Sequence, residues 1–264
     1  MVPLDNDFDR VLRPRGPVGR RLRGRLAASS PPAPPLDALK LGALDLAHRR
    51  FRLRSAVDLG AAWAVDAGYA FHLAGRDGVE SVIAVDEDFT PTAIEAARRR
   101  PSVRLLSGNF GDPTIAAEVG KVDAVVMFDV LLHQVSPDWD EVLGLWAPST
   151  SAFILAGPWY TESATSVRLL DLGEERYLQT VPTQAIHEGL FDRLEEINPR
   201  RNRPWRDVHD IWQWGITDKD LRRHLRSLGF ELAYFEQLGR WRSLPAFVSS
   251  AYVFARPELL AVTP

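Results

Sequence analysis

The segment from Ser55 to Asp86 constrains this chain more than any other part of it. It opens with a short apolar run that ends at Gly60, continues with a helical pattern, and closes with a second apolar run that ends in Asp86. Two short apolar runs joined by a helix predict a β-α-β unit with parallel strands. Units of this kind build a nucleotide pocket at the carboxyl ends of their strands. The segment therefore predicts half of a nucleotide-binding site.

The composition is that of an ordinary globular protein. The 264 residues are 45% apolar and 25% charged, which suits one large α/β domain with or without a cap. No run approaches the roughly 18 apolar residues of a membrane span, and the N-terminus lacks the apolar core of a secretory signal. The absence of cysteine excludes disulfides, thiolate metal sites and a cysteine nucleophile. These features lead us to expect a cytoplasmic protein.

The charge is spread unevenly along the chain. The net charge is −3, yet residues 1–35 contain seven arginines and only three aspartates. Proline and glycine are frequent in this stretch and disfavour a long helix, so we expect a surface arm. Two roles for the arm stay open, a lid over the site and a contact with an anionic partner. The net negative charge argues against a dedicated nucleic-acid binder.

Strands and helices alternate to about residue 160. Strands are predicted at 57–60, 81–86, 103–106, 122–128, 151–156, 230–236 and 247–254. Helices are predicted at 36–53, 63–74, 90–100, 114–119, 139–146 and 217–228. The alternation predicts an α/β fold with a doubly wound, mostly parallel seven-stranded sheet. The short link between the last two strands predicts a terminal antiparallel hairpin, and residues 160–216 form a substrate-side helical insertion between strands five and six. The expected domains are thus the arm and a single domain over 36–264.

The strand ends carry motifs that resemble those of the class I S-adenosylmethionine-dependent methyltransferases, a Rossmann-like family. Val57–Gly60 is similar to the first motif, and Val85-Asp86 to the acid that ends the second strand. Gly108–Phe110 resembles the adenine-contact loop, with Asn109 where the family usually has aspartate. Phe128–His133 is similar to the segment after the fourth strand, and Thr217–Phe230 to the last helix and the sixth strand. The resemblance covers roughly residues 40–256.

The resemblance implies S-adenosyl-L-methionine as the cofactor. A carboxylate at the end of the second strand can accept hydrogen bonds from both ribose hydroxyls. An amide side chain can meet an adenine edge as donor and acceptor. The cofactor-binding residues that the resemblance implies are Asp58, Gly60, Ala61, Ala62, Asp86, Glu87, Asn109, Phe110, Phe128 and Asp129.

The turn after the first strand departs from the glycine-rich pattern of the family. It reads Gly60-Ala61-Ala62-Trp63-Ala64, so methyl groups stand where the backbone would approach the cofactor. We expect Trp63 to point into the packing of the following helix. The same turn counts against a nicotinamide site, which requires three spaced glycines.

His133 is the candidate catalytic base, because a neutral imidazole can take a proton from a hydroxyl or an amine near neutral pH. A loop histidine held by hydrogen bonds is the alternative for this residue. Aromatic residues and a histidine near the last parallel strand and in the insertion are candidates for substrate binding, with core packing as the alternative. These candidates are Trp159, Tyr160, His187 and Trp212. No spacing of histidine or acidic residues predicts a metal site.

The sequence therefore predicts methyl transfer from S-adenosylmethionine to an oxygen or nitrogen of a small molecule, with secondary metabolism as one setting. Because the sulfonium is already activated, alignment of the reacting groups supplies much of the rate. The alternatives are a methyltransferase-like partner module without catalysis, which the altered turn suggests, and a nicotinamide-dependent reductase. No membrane or nucleic-acid partner is expected, and the oligomeric state stays open between a monomer and a homodimer.

Overall fold

A seven-stranded sheet forms the centre of the molecule. The structure is a computed structural model that describes residues 35–240 and 243–261. The strands of this sheet are β1 (Ser55–Leu59), β2 (Ser81–Asp86), β3 (Val103–Ser107), β4 (Val122–Phe128), β5 (Thr150–Tyr160), β6 (Glu231–Arg240) and β7 (Phe247–Ala255). Their order is β3-β2-β1-β4-β5-β7-β6. The pairs among β1 to β5 are parallel, whereas β7 pairs antiparallel with both β5 and β6. The predicted sheet and its terminal hairpin are confirmed.

Several helices begin where the sequence supplies a side-chain cap. They are α1 (Ala38–Phe51), α2 (Gly68–Ala74), α3 (Pro91–Arg98), α4 (Pro113–Val119), α5 (Trp139–Trp146), α6 (Glu174–Thr180), α7 (Asp218–Ser227) and α8 (Pro257–Ala261). The Thr90 hydroxyl accepts a hydrogen bond from the backbone of Ala93, and Pro91 occupies the first turn of α3. Thr217 caps α7 in the same way through Asp220. Each cap satisfies a backbone donor that the helix itself leaves unpaired.

The sheet is covered on both faces, which is why its central strands are apolar on both sides. Ala56 of β1 joins a core with Ala43 of α1 and Leu73 of α2. Its neighbour Val57 points the other way and joins a core with Trp146 of α5 and further residues of α7. The fully buried indole of Trp146 donates to the carbonyl oxygen of Phe110 at 2.8 Å. Helix α5 thus fixes the loop that follows β3.

The helix after β1 begins later than predicted, at Gly68 instead of Trp63. Ala64, Asp66 and Ala67 have φ values of 64°, 50° and 60°, which lie in the left-handed region and cannot continue a right-handed helix. The chain therefore makes an irregular turn before α2. The expectation that Trp63 packs inward was wrong, because this residue is 63% exposed.

Strand β5 is longer than the predicted 151–156. It continues to Tyr160, and β7 pairs with it from Ala152 opposite Ala255 to Tyr160 opposite Phe247. The parallel partner β4 ends opposite Ala156, but the antiparallel partner β7 continues the hydrogen-bonded pairing to Tyr160. Trp159 and Tyr160 therefore lie within a strand and not in a loop.

The insertion, residues 160–216, is less helical than expected. Its described elements are α6, several short 3₁₀ turns and two antiparallel pairs of two residues each. One pair joins Val167–Arg168 to Trp214–Gly215, and the other joins Ile197–Asn198 to Arg203–Pro204. An apolar cluster of its own holds the insertion together, with Tyr177, Leu190 and Val208 among its buried members.

Residues 1–34 of the predicted N-terminal arm lie outside the described residues, so the roles considered for the arm stay predictions. Within the described ranges, no helix is both long and apolar enough to cross a membrane.

Gly60 is expected to be irreplaceable for steric reasons. It has φ +73°, and a Cβ added there would lie 2.3 Å from Cγ1 of Val130. Gly78 has a similar φ of +81° but open space around it. Gly78→Ala should cost about 1–2 kcal/mol from left-handed strain alone. Gly60→Ala should cost roughly 1–3 kcal/mol more because of the overlap. Urea unfolding of both variants measures their loss in free energy of unfolding, and equal losses would contradict the steric argument.

Candidate functional site

The candidate site lies where the order of the sheet reverses direction. Strand β1 is hydrogen-bonded between β2 and β4, so the chain leaves three adjacent strands at one edge. The departing residues are Gly60 after β1, Asp86 at the end of β2 and Asp129 after β4. Open α/β sheets bind ligands in the crevice at such a switch point. The topology thus brings the predicted residues of these strand ends to one place.

The turn after β1 is fastened to the end of β2. The backbone N–H groups of Gly60 and Ala61 both donate to the carbonyl oxygen of Val85, at 2.8 and 3.2 Å. The N–H of Ala62 donates to Oδ2 of Asp86 at 2.7 Å. Both alanine residues are buried. The turn therefore keeps a defined shape although it lacks further glycines.

Asp86 is a fixed and partly buried carboxylate. Burial raises its pKa, while the backbone amides of Ala62, Glu87 and Asp88 act in the opposite direction. Amides that converge on a carboxylate favour its charged form. Asp86 can therefore present acceptor oxygens to a ligand at the mouth of the crevice.

Asp58 is a buried acid with an incomplete set of partners. It is 3% exposed, and its Oδ2 has no hydrogen-bond partner among the described residues. Burial raises its pKa to about 7, with a further contribution from the charge of Asp86, while the backbone amide of Ala70 and the charge of Lys40 oppose the shift. Ala70 lies in the first turn of α2, whose N-cap residue Ala67 offers no side-chain cap. Asp58 thus accepts a hydrogen bond from the backbone at the start of this helix.

Lys40 belongs to the site although the sequence analysis did not select it. It is 8% exposed on the inner side of α1 and forms an ion pair with Asp129. Its Nζ also lies 5.7 Å from the ring centre of Tyr69 and 5.9 Å from that of Phe128. Burial lowers the pKa of Lys40, but the charge and hydrogen bond of Asp129, together with Tyr69 and Asp37, outweigh it, so the pKa is raised. A usable signal existed, because this lysine falls between buried apolar positions of a helix in a chain with only two other lysines.

Asp129 has an unusual backbone conformation where it forms the ion pair with Lys40. Its φ is +57°, and its N–H donates to the carbonyl oxygen of Ala156 at 2.9 Å. Aspartate tolerates the left-handed region better than most residues. A Cβ at Gly157 would lie 3.2 Å from its Oδ1, so the neighbouring strand leaves room for the carboxylate.

The loop after β3 reaches the same crevice. The side chain of Phe110 comes within 3.6 Å of the position that a Cβ of Gly60 would take. Oδ1 of Asn109 accepts a hydrogen bond from the backbone of Gly111 at 2.7 Å, which forms a tight local turn. The amide nitrogen of Asn109 has no partner among the described residues and can donate to a ligand.

His133 ends a short 3₁₀ turn after β4, Leu131–His133. Its Nδ1 lies 2.8 Å from the carbonyl oxygen of Ile211. Because a carbonyl only accepts, Nδ1 carries the proton and Nε2 has the free lone pair. Burial lowers the pKa of His133. The ring is therefore neutral near pH 7 and able to accept a proton.

The four aromatic and histidine candidates for substrate binding are all buried. Trp159 lines a narrow pocket together with Asp129, and its indole donates to the carbonyl oxygen of Ser250 at 3.0 Å. Trp212 lies against His133, with ring centres 6.2 Å apart. Tyr160 packs on Phe247. The structure thus brings Trp159 and Trp212 to the site and leaves Tyr160 in the core of the insertion.

His187 lies apart from this group. Its ring contacts Tyr177 with centres 5.3 Å apart, and both ring nitrogens are buried without a partner among the described residues. Burial lowers its pKa, so the ring is neutral. No cluster of histidine and acidic side chains suited to a metal ion occurs within 35–240 and 243–261.

Comparison with known proteins gives a match at the level of structure. No family model and no curated protein matches the sequence. The N-terminal domain of EvdMO1 with S-adenosylhomocysteine bound superposes with a TM-score of 0.53 at 16% identity, covering 84% of this chain and 82% of that one. A 1,6-didemethyltoxoflavin N1-methyltransferase from Burkholderia thailandensis, with that compound and S-adenosylhomocysteine bound, gives 0.52 at 15%, covering 83% and 78%.

This chain has the fold of the class I S-adenosylmethionine-dependent methyltransferases. The similarity at this identity concerns the fold, and it confirms the fold that the resemblance implied. Within the methyltransferase fold, Gly60, Asp86 and Asn109 occupy the strand ends to which the motifs assigned them.

The charge of Asp58 should make stability depend on pH. Its pKa is about 7 in the folded protein and ordinary in the unfolded chain, so folding retains a proton that the unfolded chain releases. The contribution of Asp58 to the free energy of unfolding is then fully present below about pH 4 and is lost as the pH rises through about 7. Asp58→Asn removes this loss and should add about 4 kcal/mol at pH 8, with little change at pH 4.

Chemical denaturation of the wild type and Asp58→Asn at pH 4, 6 and 8 measures this dependence. Asp77→Asn, at an exposed turn residue, is the matched control and should follow the wild type. A wild-type profile that stays parallel to that of Asp58→Asn over the whole range would contradict the assignment.

Proposed function

We propose that the protein transfers a methyl group from S-adenosylmethionine to an oxygen or nitrogen of a small molecule. The observation that carries this proposal is the fastening of the Gly60 turn to Asp86 at the switch point of a methyltransferase-type sheet. That arrangement presents a fixed carboxylate beside a close-approach turn, which suits a nucleoside. The charged groups around this carboxylate would bind the rest of the cofactor.

The residues of the crevice fit S-adenosylmethionine. Asp86 would hold the ribose hydroxyls, and the free amide of Asn109 would meet the adenine. Lys40 and Asp129 form a cation and an anion side by side, which suits the zwitterionic methionine end. When bound, the cofactor supplies a methyl group that its sulfonium already activates. The buried acid Asp58 lies near Lys40, and a cationic ligand bound close to it would favour its charged form.

In the proposed reaction His133 accepts the proton of the methyl acceptor. Its Nε2 lone pair would take the proton from the acceptor hydroxyl or amine as the methyl is transferred. The carbonyl of Ile211 keeps the proton on Nδ1 and so keeps the ring in the tautomer that the reaction needs. Burial keeps the ring neutral. Positioning would then supply the larger part of the rate.

The acceptor would be a small molecule with an apolar body. The pocket beside Asp129 is lined mainly by apolar side chains, among them Leu132, Pro158 and Trp159. One of the two structural relatives carries a small methyl acceptor in its name and in its crystal, which agrees with this choice. Secondary metabolism is the setting we propose.

The inactive alternative has no specific observation in its favour. It was motivated by Ala61 and Ala62, yet the turn that contains them keeps its hydrogen bonds to Val85 and Asp86. We therefore propose an active enzyme.

Cofactor binding tests the proposal directly. Calorimetric titration should detect binding of S-adenosylmethionine and S-adenosylhomocysteine to the wild type. Asp86→Asn and Lys40→Met should each weaken it about 10- to 100-fold, because each removes a charge-assisted contact of roughly 1.5–3 kcal/mol. Asp77→Asn is the control and should bind like the wild type. Absent binding would refute the proposed function, and unchanged binding by Asp86→Asn would refute the ribose assignment alone.

A panel of small hydroxyl and amine compounds, followed by formation of S-adenosylhomocysteine, would identify an acceptor and test the base. His133→Asn keeps a side-chain donor for the Ile211 carbonyl but lacks a basic nitrogen. It should lower kcat about 10²- to 10⁴-fold and leave the cofactor Kd unchanged. The wild-type kcat should fall only below the usual histidine pKa, because the pKa of His133 is lowered. A His133→Asn enzyme with wild-type kcat would show that positioning alone suffices.

A further inference from the structure

The insertion reaches across the proposed cofactor site and is fastened on both sides of it. One attachment is Arg201, which binds Glu87 beyond the end of β2. The other is His209, whose Nε2 lies 3.1 Å from the carbonyl oxygen of Val135 beyond β4. We propose that Arg201 is a positioning residue that latches the insertion over the bound cofactor and slows its release. This inference rests on the proposed function.

The position of the two attachments supports the latch. Glu87 directly follows Asp86, the carboxylate proposed to hold the ribose. His209 lies close to Glu87 beyond β2 and to the carbonyl oxygen of Val135 beyond β4, and β1 lies between these two strands. The turn at Gly60 occupies the end of β1. A nucleoside held there would lie beside the contacts that Arg201 and His209 make.

Contacts within its own loop hold the Arg201 side chain in position for the ion pair with Glu87. Its Nε and Nη2 donate to the two carboxylate oxygens of Asp210 at 2.8 and 2.6 Å. The remaining nitrogen, Nη1, donates to Oε2 of Glu87 at 2.9 Å. A guanidinium held in a two-point fork has already lost most of its conformational freedom. The third bond to Glu87 therefore forms with little further entropy loss.

The loop that carries Arg201 has a defined shape. Oδ1 of the buried Asn198 accepts hydrogen bonds from the backbones of Arg200 and Arg201, at 2.9 and 3.2 Å. The loop is closed by the pairing of Ile197–Asn198 with Arg203–Pro204. Arg201 is thus held at its backbone and at its side chain.

The contact with Glu87 is the exchangeable part of this arrangement. The two side chains are 40% and 46% exposed, so water competes for the pair. Exposed ion pairs are weak on their own, and this suits a contact that must open once in each cycle. His209 lies close to the same carboxylate, with its Nδ1 3.9 Å from Oε1 of Glu87.

The test is the dissociation rate of S-adenosylhomocysteine, followed by stopped-flow tryptophan fluorescence on the full chain. Arg201→Met and Glu87→Gln should each raise this rate about three- to tenfold. The double variant should be no faster than the faster single variant, because both remove one contact. Arg201→Lys should restore part of the slow release. With an acceptor in hand, Arg201→Met should raise KM for the cofactor while kcat stays equal or increases.

Arg206→Met is the matched control. Arg206 lies in the same insertion but its side chain pairs with Asp171 and Glu195, away from β2, so the dissociation rate should not change. Single-variant rates equal to the wild type, or additive effects in the double variant, would overturn the latch while cofactor binding itself persists. A wild type that binds no S-adenosylhomocysteine would instead overturn the proposed function.

Discussion

The buried ion pair between Lys40 and Asp129 ties the first helix to the working edge of the sheet. Charges removed from water are costly unless they are paired, and loss of one partner leaves the other stranded. The pair therefore fixes how α1 lies against the end of β4, and with it the position of the neighbouring Phe128 and Tyr69 rings. It also places opposite charges side by side in a crevice that otherwise holds carboxylates. The helix that precedes the sheet is thus part of the site and not only part of its cover.

The turn at Gly60 shows how the scaffold tolerates an altered motif. A glycine is required at this position by its positive φ and by the nearness of Val130. At the next two positions the requirement concerns backbone N–H groups, which donate to Val85 and Asp86 whatever the side chain is. Alanine supplies these donors as well as glycine does. The family pattern is therefore reduced here to the one glycine for which the structure shows a steric reason.

The parts that sequence reasoning predicted are those governed by local chemistry. Apolar runs marked the strands, and threonine with proline marked the start of α3 at Thr90. The left-handed turn before Gly68 was missed, because two of its three left-handed residues are alanines, which give no warning of it. Backbone hydrogen bonds from Asp66 to Ala62 and from Ala67 to Ala61 help to hold it. The attachments of the insertion were missed for another reason. Two of them use the carbonyls of Ile211 and Val135, and a backbone carbonyl has no residue type that a sequence could reveal.

Local rules fail at several places in this chain, and three of these failures coincide in space. Asp58 keeps an unpartnered oxygen in the interior, Lys40 is a buried lysine, and Asp129 adopts a left-handed backbone. Each feature reduces stability when taken alone, and each could be removed by a conservative substitution. They nevertheless meet at the ends of two adjacent strands, β1 and β4, beside the fixed carboxylate of Asp86. Natural proteins retain such costs where function requires them. The coincidence is a reason, independent of the fold comparison, to place the chemistry at this edge.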